Sequence, residues 1–360
     1  MEDNKRKWVS RWLWTGVVMV FIQVIIGGIT RLTGSGLSIT EWNVLMGALP
    51  PLSEAHWQTL FDKYKLFPQY SKVNPNMDLH GFKTIFWWEY IHRLWARFFA
   101  VVFLIPFVWF LIKGWITKKL ALQLVGLFFF GALQGLVGWV MVQSGLKDQP
   151  WVSPLKLSLH LILAFMLYMF IVNIALHFSK PTSGFVPTKA MRNGLTTLVL
   201  VLFVQVFFGG LMAGHKAALF YPTWPMIGGE WIPGTMNTFA PAWMNLVENK
   251  ATIHFIHRNL AYVIAIMITA WWWKHRKQKG TPLFNALMTS LPIIVLLQVV
   301  LGVLTLLQSI GGIPIVLGVL HQGVALVLLT ALLVLRYGSR PIAYNWEQAA
   351  GKPIADLNVR

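Results

Sequence analysis

The sequence predicts an all-α integral membrane protein whose eight transmembrane helices form two four-helix bundles. Three observations predict this class. Hydrophobic residues make up 56% of the 360 residues and charged residues only 12%, about half the charged fraction of an ordinary soluble domain. The apolar residues fall in long runs, each near the roughly 20 residues that a helix needs to cross about 30 Å of hydrocarbon. The two halves of the chain also repeat the same polar motifs in the same order.

The long apolar runs give the predicted helices, and the charged segments between them give the orientation. The runs cover residues 12–32, 84–112, 120–143, 154–178, 193–213, 251–273, 283–309 and 314–335. Lys and Arg gather before the first run and after each even-numbered run, so both termini are predicted to be cytoplasmic. The net charge of +18 is then a matter of topology, and nucleic acid is not an expected partner. The first run is too long for a cleaved signal peptide, and we expect a retained signal anchor.

The outer connections are uneven in length. Those at about 34–83 and 214–250 are long and rich in Pro, Gly and Trp, and long ordered loops often form lids or docking surfaces. Within the first, Ser53 precedes an amphipathic segment that runs to about Lys65, which predicts a short N-capped helix.

Polar intramembrane motifs recur in corresponding helices of the two halves. The matching stretches are Gln23–Gly28 with Gln205–Gly210, Glu89–Arg93 with His254–Arg258, Gln134–Gly138 with Gln298–Gly302, and His160 with His321. Because each half has an even number of helices, the halves should share orientation and be related by a pseudo-twofold axis along the membrane normal. We therefore predict domains at 1–180 and 181–360. The recurring Gln-x-x-x-Gly motif fits either helix packing or a glutamine that points at a ligand.

One histidine lies inside each even-numbered helix: His92, His160, His257 and His321. They lie roughly six to nine residues, or about 9–14 Å, from the outer helix ends. Four such residues at one depth favour metal or haem ligation, because polar side chains inside a membrane are costly and usually functional. The chain has no Cys and few intramembrane carboxylates for a zinc or di-iron cluster. A porphyrin between histidines of facing helices fits better, with His92–His160 and His257–His321 as the pairs.

Residues beside these histidines differ between the halves. Arg93 and Arg258 each follow a histidine and are candidates to bind haem propionates, the alternatives being snorkelling or an ion pair. Glu89 lies one helical turn before His92, where its counterpart in the second half is His254. Glu89 could pair with Arg31 or Arg93, or it could relay protons or stabilise a cationic intermediate. This asymmetry predicts chemistry in the first half and a stable haem in the second.

The remaining histidines carry weaker expectations. His177 and His275 lie at the cytoplasmic boundary and are expected to be solvated, whereas His56, His80 and His215 lie in or beside outer loops. Whether His80, His215 or His254 assists the site stays open.

Several stretches of the chain resemble the haem A synthase family. They are residues 27–42, with the sequence Gly-Gly-Ile-Thr-Arg-Leu-Thr-Gly-Ser-Gly-Leu-Ser-Ile-Thr-Glu-Trp, and the shorter stretches Glu89–Arg93, Ala213–Ala217, Tyr221–Met226 and His257–Asn259. They fall in both halves, and the eight helices match the family's order, so the resemblance covers essentially the whole chain.

The resemblance implies a haem-dependent oxidoreductase of the bacterial inner membrane. Its substrate would be haem O, whose C8 methyl is oxidised to a formyl group by successive hydroxylations, giving haem A for terminal oxidases. The resemblance assigns a haem B cofactor to His257 and His321 and the substrate haem to His92 and His160, and Glu89 matches an essential glutamate. It implies haem O synthase and an electron donor as partners.

Two points stay open at this stage. Some bacterial members carry a cysteine pair in the first outer loop, and this chain resembles the cysteine-free branch found in many proteobacteria and mitochondria, so the electron route and the role of Ser53–Lys65 are unsettled. The alternatives are a bis-histidine cytochrome b that only transfers electrons, and a haem transporter. A pure electron carrier should tolerate Glu89→Ala, whereas the oxidase should not.

Overall fold

A computed structural model describes residues 3–41, 49–147, 149–179 and 188–339. Its α-helices are α1 (Asp3–Leu32), α2 (Glu54–Lys65), α3 (Pro68–Val73), α4 (Leu79–Ile112), α5 (Lys118–Gln143), α6 (Pro154–Ser179), α7 (Lys189–Gly214), α8 (Lys250–His275), α9 (Pro282–Leu307) and α10 (Ile315–Gly338). Short 3₁₀ helices at Ala217–Leu219, Gly234–Asn237 and Ala242–Leu246 shape the third outer loop. Trp42 and the predicted domain boundary at 180/181 lie outside the described residues.

The eight predicted transmembrane helices are confirmed. In the described part of the chain, eight helices are long and apolar enough to cross a membrane, namely α1 and α4 to α10. The protein is therefore a multi-pass membrane protein. Of these helices, α1 and α4 begin furthest ahead of their apolar runs, at Asp3 and Leu79. The 34 residues of α4 span about 51 Å at 1.5 Å per residue, so α4 extends beyond the hydrocarbon.

Polar residues in the connections fix where the helices start. Thr117, Thr188 and Thr281 cap α5, α7 and α9, each with a side-chain oxygen that accepts a backbone N–H of the first turn. Asp78 caps α4 and Asn249 caps α8 in the same way. Such side chains satisfy N–H groups that have no partner within the helix.

Four helices, α1, α6, α7 and α10, form the centre of the molecule. α1 packs against α6 and α10, and α7 packs against the same two helices. Their facing surfaces are apolar and fully buried, as at Leu13, Ile171, Leu195 and Leu329. The other four transmembrane helices flank this centre, α4 beside α1, α5 beside α6, α8 beside α7 and α9 beside α10.

The helix pairs that pack within the two halves occupy corresponding positions in the chain. The pairs α1–α4, α1–α6 and α5–α6 of the first half correspond to α7–α8, α7–α10 and α9–α10 of the second. The twofold relation between the halves, and the division into two domains, stay predictions.

Polar side chains join the two halves near their outer ends. Arg31 on α1 donates to the carbonyl oxygens of Ala213 and Gly214, at 2.7 and 3.2 Å, where the partial negative charge of the α7 C-terminus favours a cation. The Gln322 amide donates to the carbonyl oxygen of Val24 at 2.8 Å, and the Ser158 hydroxyl donates to that of Phe207 at 2.6 Å. These contacts lie beside the motifs that carry the histidines.

The helix predicted in the first outer loop is confirmed as α2, with Ser53 as its N-cap. Its buried face packs with the outer end of α4 in an aromatic cluster that includes Trp57, Phe61, Tyr64 and Phe82. Burial raises the pKa of Tyr64, whose hydroxyl accepts a hydrogen bond from Asn74 at 2.8 Å. The segment is thus fixed on the extension of α4, above the membrane-spanning part of the first half.

Candidate functional site

Each of the four intramembrane histidines lies against the Gln-x-x-x-Gly motif of the transmembrane helix before it. We call each set of one histidine, one glutamine and one glycine a histidine cradle. The four cradles are His92 with Gln23 and Gly27, His160 with Gln134 and Gly138, His257 with Gln205 and Gly209, and His321 with Gln298 and Gly302. Because Gln and Gly are four residues apart, they share a helix face and meet the same ring.

In each cradle the glycine leaves room for the imidazole ring, which lies close to the helix backbone. A Cβ added at Gly27, Gly138, Gly209 or Gly302 would lie 3.0, 2.9, 3.2 or 2.8 Å from Cε1 of the facing histidine. Non-bonded carbon atoms prefer about 3.5–4.0 Å. The edge of the ring that carries Cε1 therefore takes the space of a side chain on the neighbouring helix.

The glutamine of each cradle bonds across the helix interface to the histidine. The side-chain amides of Gln23, Gln134 and Gln205 donate to the backbone carbonyl oxygens of their histidines at 3.2, 3.0 and 3.0 Å. The fourth cradle differs, because Nδ1 of His321 lies 3.1 Å from the backbone carbonyl oxygen of Gln298. Helix packing, one of the two interpretations of the Gln-x-x-x-Gly motif, predicts glutamine hydrogen bonds across the interface. The residues that these glutamines contact are the candidate ligand histidines.

Within each half, the two intramembrane histidines lie near each other. The ring of His92 lies within electrostatic reach of His160, and that of His257 within reach of His321. Each of the four histidines is half-buried, and the glycine of its cradle covers the ring edge that carries Cε1.

The donor atoms in these pairs fit a haem better than a bare metal ion. Among the described residues, no three His, Asp or Glu side chains cluster closely enough to hold a metal ion. A haem supplies its own four equatorial nitrogens and needs only axial ligands, for which imidazole is suited. His160 in the first half and His257 in the second each have a buried Nδ1 atom with no hydrogen-bond partner in the described structure.

Glu89 lies buried under the first outer loop and is ion-paired with Arg93. The two side chains are 3% and 13% exposed, and Arg93 Nη2 lies 2.6 Å from Glu89 Oε1. The other carboxylate oxygen accepts from the hydroxyl of Ser38 at 2.7 Å and from the backbone N–H of Ile39 at 2.8 Å. Of the two partners considered from the sequence, Arg93 rather than Arg31 is the one observed.

Arg93 and Arg258 both bind an outer loop through its carbonyl oxygens. Arg93 donates to Ile39 at 3.1 Å and to Glu41 at 3.3 Å. Arg258 donates to Pro225 at 3.0 Å and Met226 at 3.1 Å, and also to Thr223. Both arginines thus hold the loop that follows the first transmembrane helix of their half. A propionate-binding role for them stays a prediction.

The sequence did not identify the loop atoms in these contacts. Ser38, Ile39 and Thr223 lie some 35 to 51 residues from the charged groups that they bind. The available signal was that both loop segments lie within the stretches that resemble the family.

The other histidines are placed as follows. His254 is fully buried, its ring packs edge-on against Tyr221 with centroids 5.9 Å apart, and neither ring nitrogen has a hydrogen-bond partner among the described residues. His215 lies 2.7 Å from the carbonyl oxygen of Val247. His80 and His177 are exposed.

The prediction that His275 is solvated is wrong. His275 is only 9% exposed, because the ring of Trp271, one turn earlier, packs against it with centroids 5.2 Å apart.

The fold and the cradles define a class: a multi-pass helical membrane protein with paired histidines inside its two halves. Sequence comparison gives the family. The chain belongs to the family of cytochrome oxidase assembly proteins, whose sequence profile matches residues 10–333.

Individual relatives in this family are similar over nearly the whole chain. A protein of Rhodospirillum centenum named haem A synthase is 44% identical over 329 residues, which cover 91% of this chain and 87% of that protein. One of the same name from Nitrosospira multiformis is 42% identical over 331 residues, with 91% and 92% covered. The Arabidopsis thaliana protein named haem A synthase COX15 is 41% identical over 347 residues, with 93% and 75% covered.

Proposed function

We propose that this protein is an enzyme of haem A formation that oxidises the C8 methyl group of haem O to a formyl group by successive hydroxylations. The family membership and the names of relatives that cover most of the chain support this proposal. The observation that carries it is the pairing of two histidine cradles in each half, with a buried carboxylate beside only one of the pairs.

In this proposal the two halves have different tasks. His257 and His321 hold a haem B cofactor, with Arg258 close by, and His92 and His160 hold the substrate haem O, with Arg93 close by. The cofactor supplies redox chemistry at its iron. The protein would supply the imidazoles of His257 and His321, whose ring edges lie against Gly209 and Gly302, and an apolar surrounding that excludes water.

Glu89 is proposed to be a catalytic residue that holds or moves a proton at its carboxylate, or stabilises positive charge on the substrate. Arg93 and the backbone N–H of Ile39 only donate to it. Ser38 is different, because a hydroxyl both donates and accepts. A proton that leaves or reaches Glu89 would therefore pass through Ser38.

The cellular setting is also part of the proposal. The basic segments support cytoplasmic termini in a bacterial inner membrane, so the cradles lie toward the outer face. Haem O would come from a haem O synthase, and an electron donor is required for the oxidation. The product would serve the assembly of terminal oxidases.

The proposal is tested by expressing the chain beside a haem O producer and chromatographing the extracted haems. We expect haem A from the native chain, and haem O with no haem A from Glu89→Ala, with the haem B spectrum of the purified variant retained. Glu54→Ala is the matched control, because that carboxylate is exposed and pairs with Lys83 on the surface. Haem O alone from the native chain would refute the activity and leave an electron carrier or a transporter.

A further inference from the structure

The side-chain oxygens of the four cradle glutamines are buried acceptors without a donor. Oε1 of Gln23, Gln134, Gln205 and Gln298 has no hydrogen-bond partner within the described residues. A buried polar atom left without a hydrogen-bond partner destabilises the fold. Four such atoms at corresponding positions indicate that each cradle is built to receive a hydrogen-bond donor.

The histidine of the same cradle carries the complementary unpaired atom. In two cradles, Nδ1 of His160 and of His257 is buried and has no partner, like the glutamine oxygen beside it. A neutral imidazole has one N–H and one lone-pair nitrogen. When Nε2 gives its lone pair to a metal, the hydrogen must be on Nδ1, and metal-bound histidines almost always donate it to an acceptor.

We infer that the cradle glutamines are positioning residues for the axial histidines, and that Oε1 of each glutamine accepts the Nδ1–H of its histidine when Nε2 binds haem iron. The inference rests on the proposed function. The amide nitrogen of the glutamine already lies against the ring, 3.1 and 3.2 Å from Nδ1 of His92 and His321 and 3.4 and 3.5 Å from Nε2 of His160 and His257. A rotation of the amide would exchange that nitrogen for Oε1. The contact fixes the tautomer, fixes the rotation of the ring and makes the imidazole a stronger ligand.

One cradle provides an internal comparison. Nδ1 of His321 already has an acceptor, the backbone carbonyl oxygen of Gln298 at 3.1 Å, which no substitution removes. Nδ1 of His257 has no acceptor within hydrogen-bond distance in the described structure, although the backbone of Gln205 lies near the ring, and we therefore assign the acceptor to the side chain of Gln205. The two histidines proposed to bind haem B therefore differ in how far their Nδ1–H depends on the side chain of a glutamine as its acceptor.

The experiment compares Gln205→Met with Gln298→Met, because Met keeps the length of Gln and removes the acceptor. Haem B loss from the purified protein to apomyoglobin and the midpoint potential are measured. Gln205→Met should weaken haem B binding about 10- to 100-fold and raise the potential, because a less basic imidazole stabilises ferric iron less. Gln298→Met should have a much smaller effect on both. Gln205→Glu keeps an acceptor and should retain haem with a shift of potential in the opposite direction.

Two controls separate the inference from the proposed function. Gln123→Met, on the exposed side of α5, should change neither readout. His257→Met should alter the haem spectrum, and an unaltered spectrum there would refute the proposed haem site itself. If His257→Met alters the spectrum but Gln205→Met changes nothing, or if the two glutamine variants lose haem equally, the positioning role is refuted and the haem site stands.

Discussion

In both halves of the molecule an arginine binds the loop after the half's first transmembrane helix, and the halves differ at the residue one helical turn before that arginine. In each half an arginine follows the cradle histidine and holds the loop after the half's first transmembrane helix through carbonyl oxygens. Beside Arg93 the first half has Glu89, buried and ion-paired. At the matching position before Arg258 the second half has His254, which packs against Tyr221 and forms no ion pair in the described structure.

This difference changes the electrostatics of the two sites. The Glu89–Arg93 pair brings two opposite charges together in a buried place, so the first half has a carboxylate where the second half has an imidazole. Arg258 donates instead to the backbone carbonyl oxygens of Thr223, Pro225 and Met226. The proposed division into a reaction site in the first half and a cofactor site in the second rests on this carboxylate.

The largest effect that tests this comparison is expected from Arg93→Gln. The substitution leaves the carboxylate of Glu89, 3% exposed, with two hydrogen bonds and no opposite charge. Removing one partner of a buried ion pair costs about 3–5 kcal/mol. The free energy of unfolding, measured by denaturant titration in detergent micelles, should fall by that amount. Arg258→Gln should lower the free energy of unfolding by less. Its carbonyl partners Thr223, Pro225 and Met226 are exposed, so water can take over the hydrogen bonds that the guanidinium made.

A double-mutant cycle gives the control for this prediction. Glu89→Gln with Arg93→Gln removes both charges, and the double variant should be more stable than Arg93→Gln alone because no uncompensated buried charge is left. Equal losses for Arg93→Gln and Arg258→Gln would contradict the electrostatic difference between the halves.

The second glycine of each Gly-Gly pair offers a smaller test at the interface between the halves. A Cβ at Gly210 would lie 2.7 Å from Cα of Ser158, whereas a Cβ at Gly28 would lie 2.7 Å from Oε1 of Gln322. The end of a side chain can move and a backbone atom cannot. Gly210→Ala should therefore lower the free energy of unfolding by about 1–3 kcal/mol through overpacking, and Gly28→Ala should change it little.

The measurement for the glycines is the same denaturant titration, combined with gel filtration to confirm a monodisperse protein. An equal loss of unfolding free energy in Gly28→Ala and Gly210→Ala would contradict this prediction. It would mean that the side chain of Gln322 is held as rigidly as the backbone of Ser158.

Local and periodic features of the fold could be predicted from the sequence. Length and hydropathy gave the eight helices, and the N-cap rule gave α2, since Ser53 accepts from the backbone N–H of His56 at 3.2 Å. Helix starts were less accurate, because α1 and α4 continue through polar residues that helices tolerate outside hydrocarbon. The boundary position of His275 did not reveal its burial, which comes from Trp271 packing against the ring.

The candidate site could be predicted only in part, because several of its contacts join residues that are far apart in the sequence. The pairing of His92 with His160, and of His257 with His321, followed from the repeat. The partners of Glu89 did not, because Ser38 and Ile39 reach it across about 50 residues of sequence. The Gln-x-x-x-Gly motif was visible, but its histidine partner depends on which helices face each other. Periodicity therefore shows which positions matter, and tertiary contacts decide what they do.

The smallest effect is expected from Lys63→Ala. This variant tests whether the first outer loop is held mainly by the buried Arg93 or by the exposed helix α2. Lys63 on α2 pairs with Glu41 at 2.6 Å, with the two side chains 42% and 51% exposed, while Arg93 binds the same loop from the buried side. Exposed ion pairs contribute about 0.2–1 kcal/mol and are screened by salt. Lys63→Ala should therefore lower the free energy of unfolding by less than about 1 kcal/mol, and the difference should disappear in high salt. If Lys63→Ala lowers the free energy of unfolding as much as Arg93→Gln does, α2 rather than the buried ion pair fixes the loop. The contrast between the halves would then lie in α2, not in Glu89.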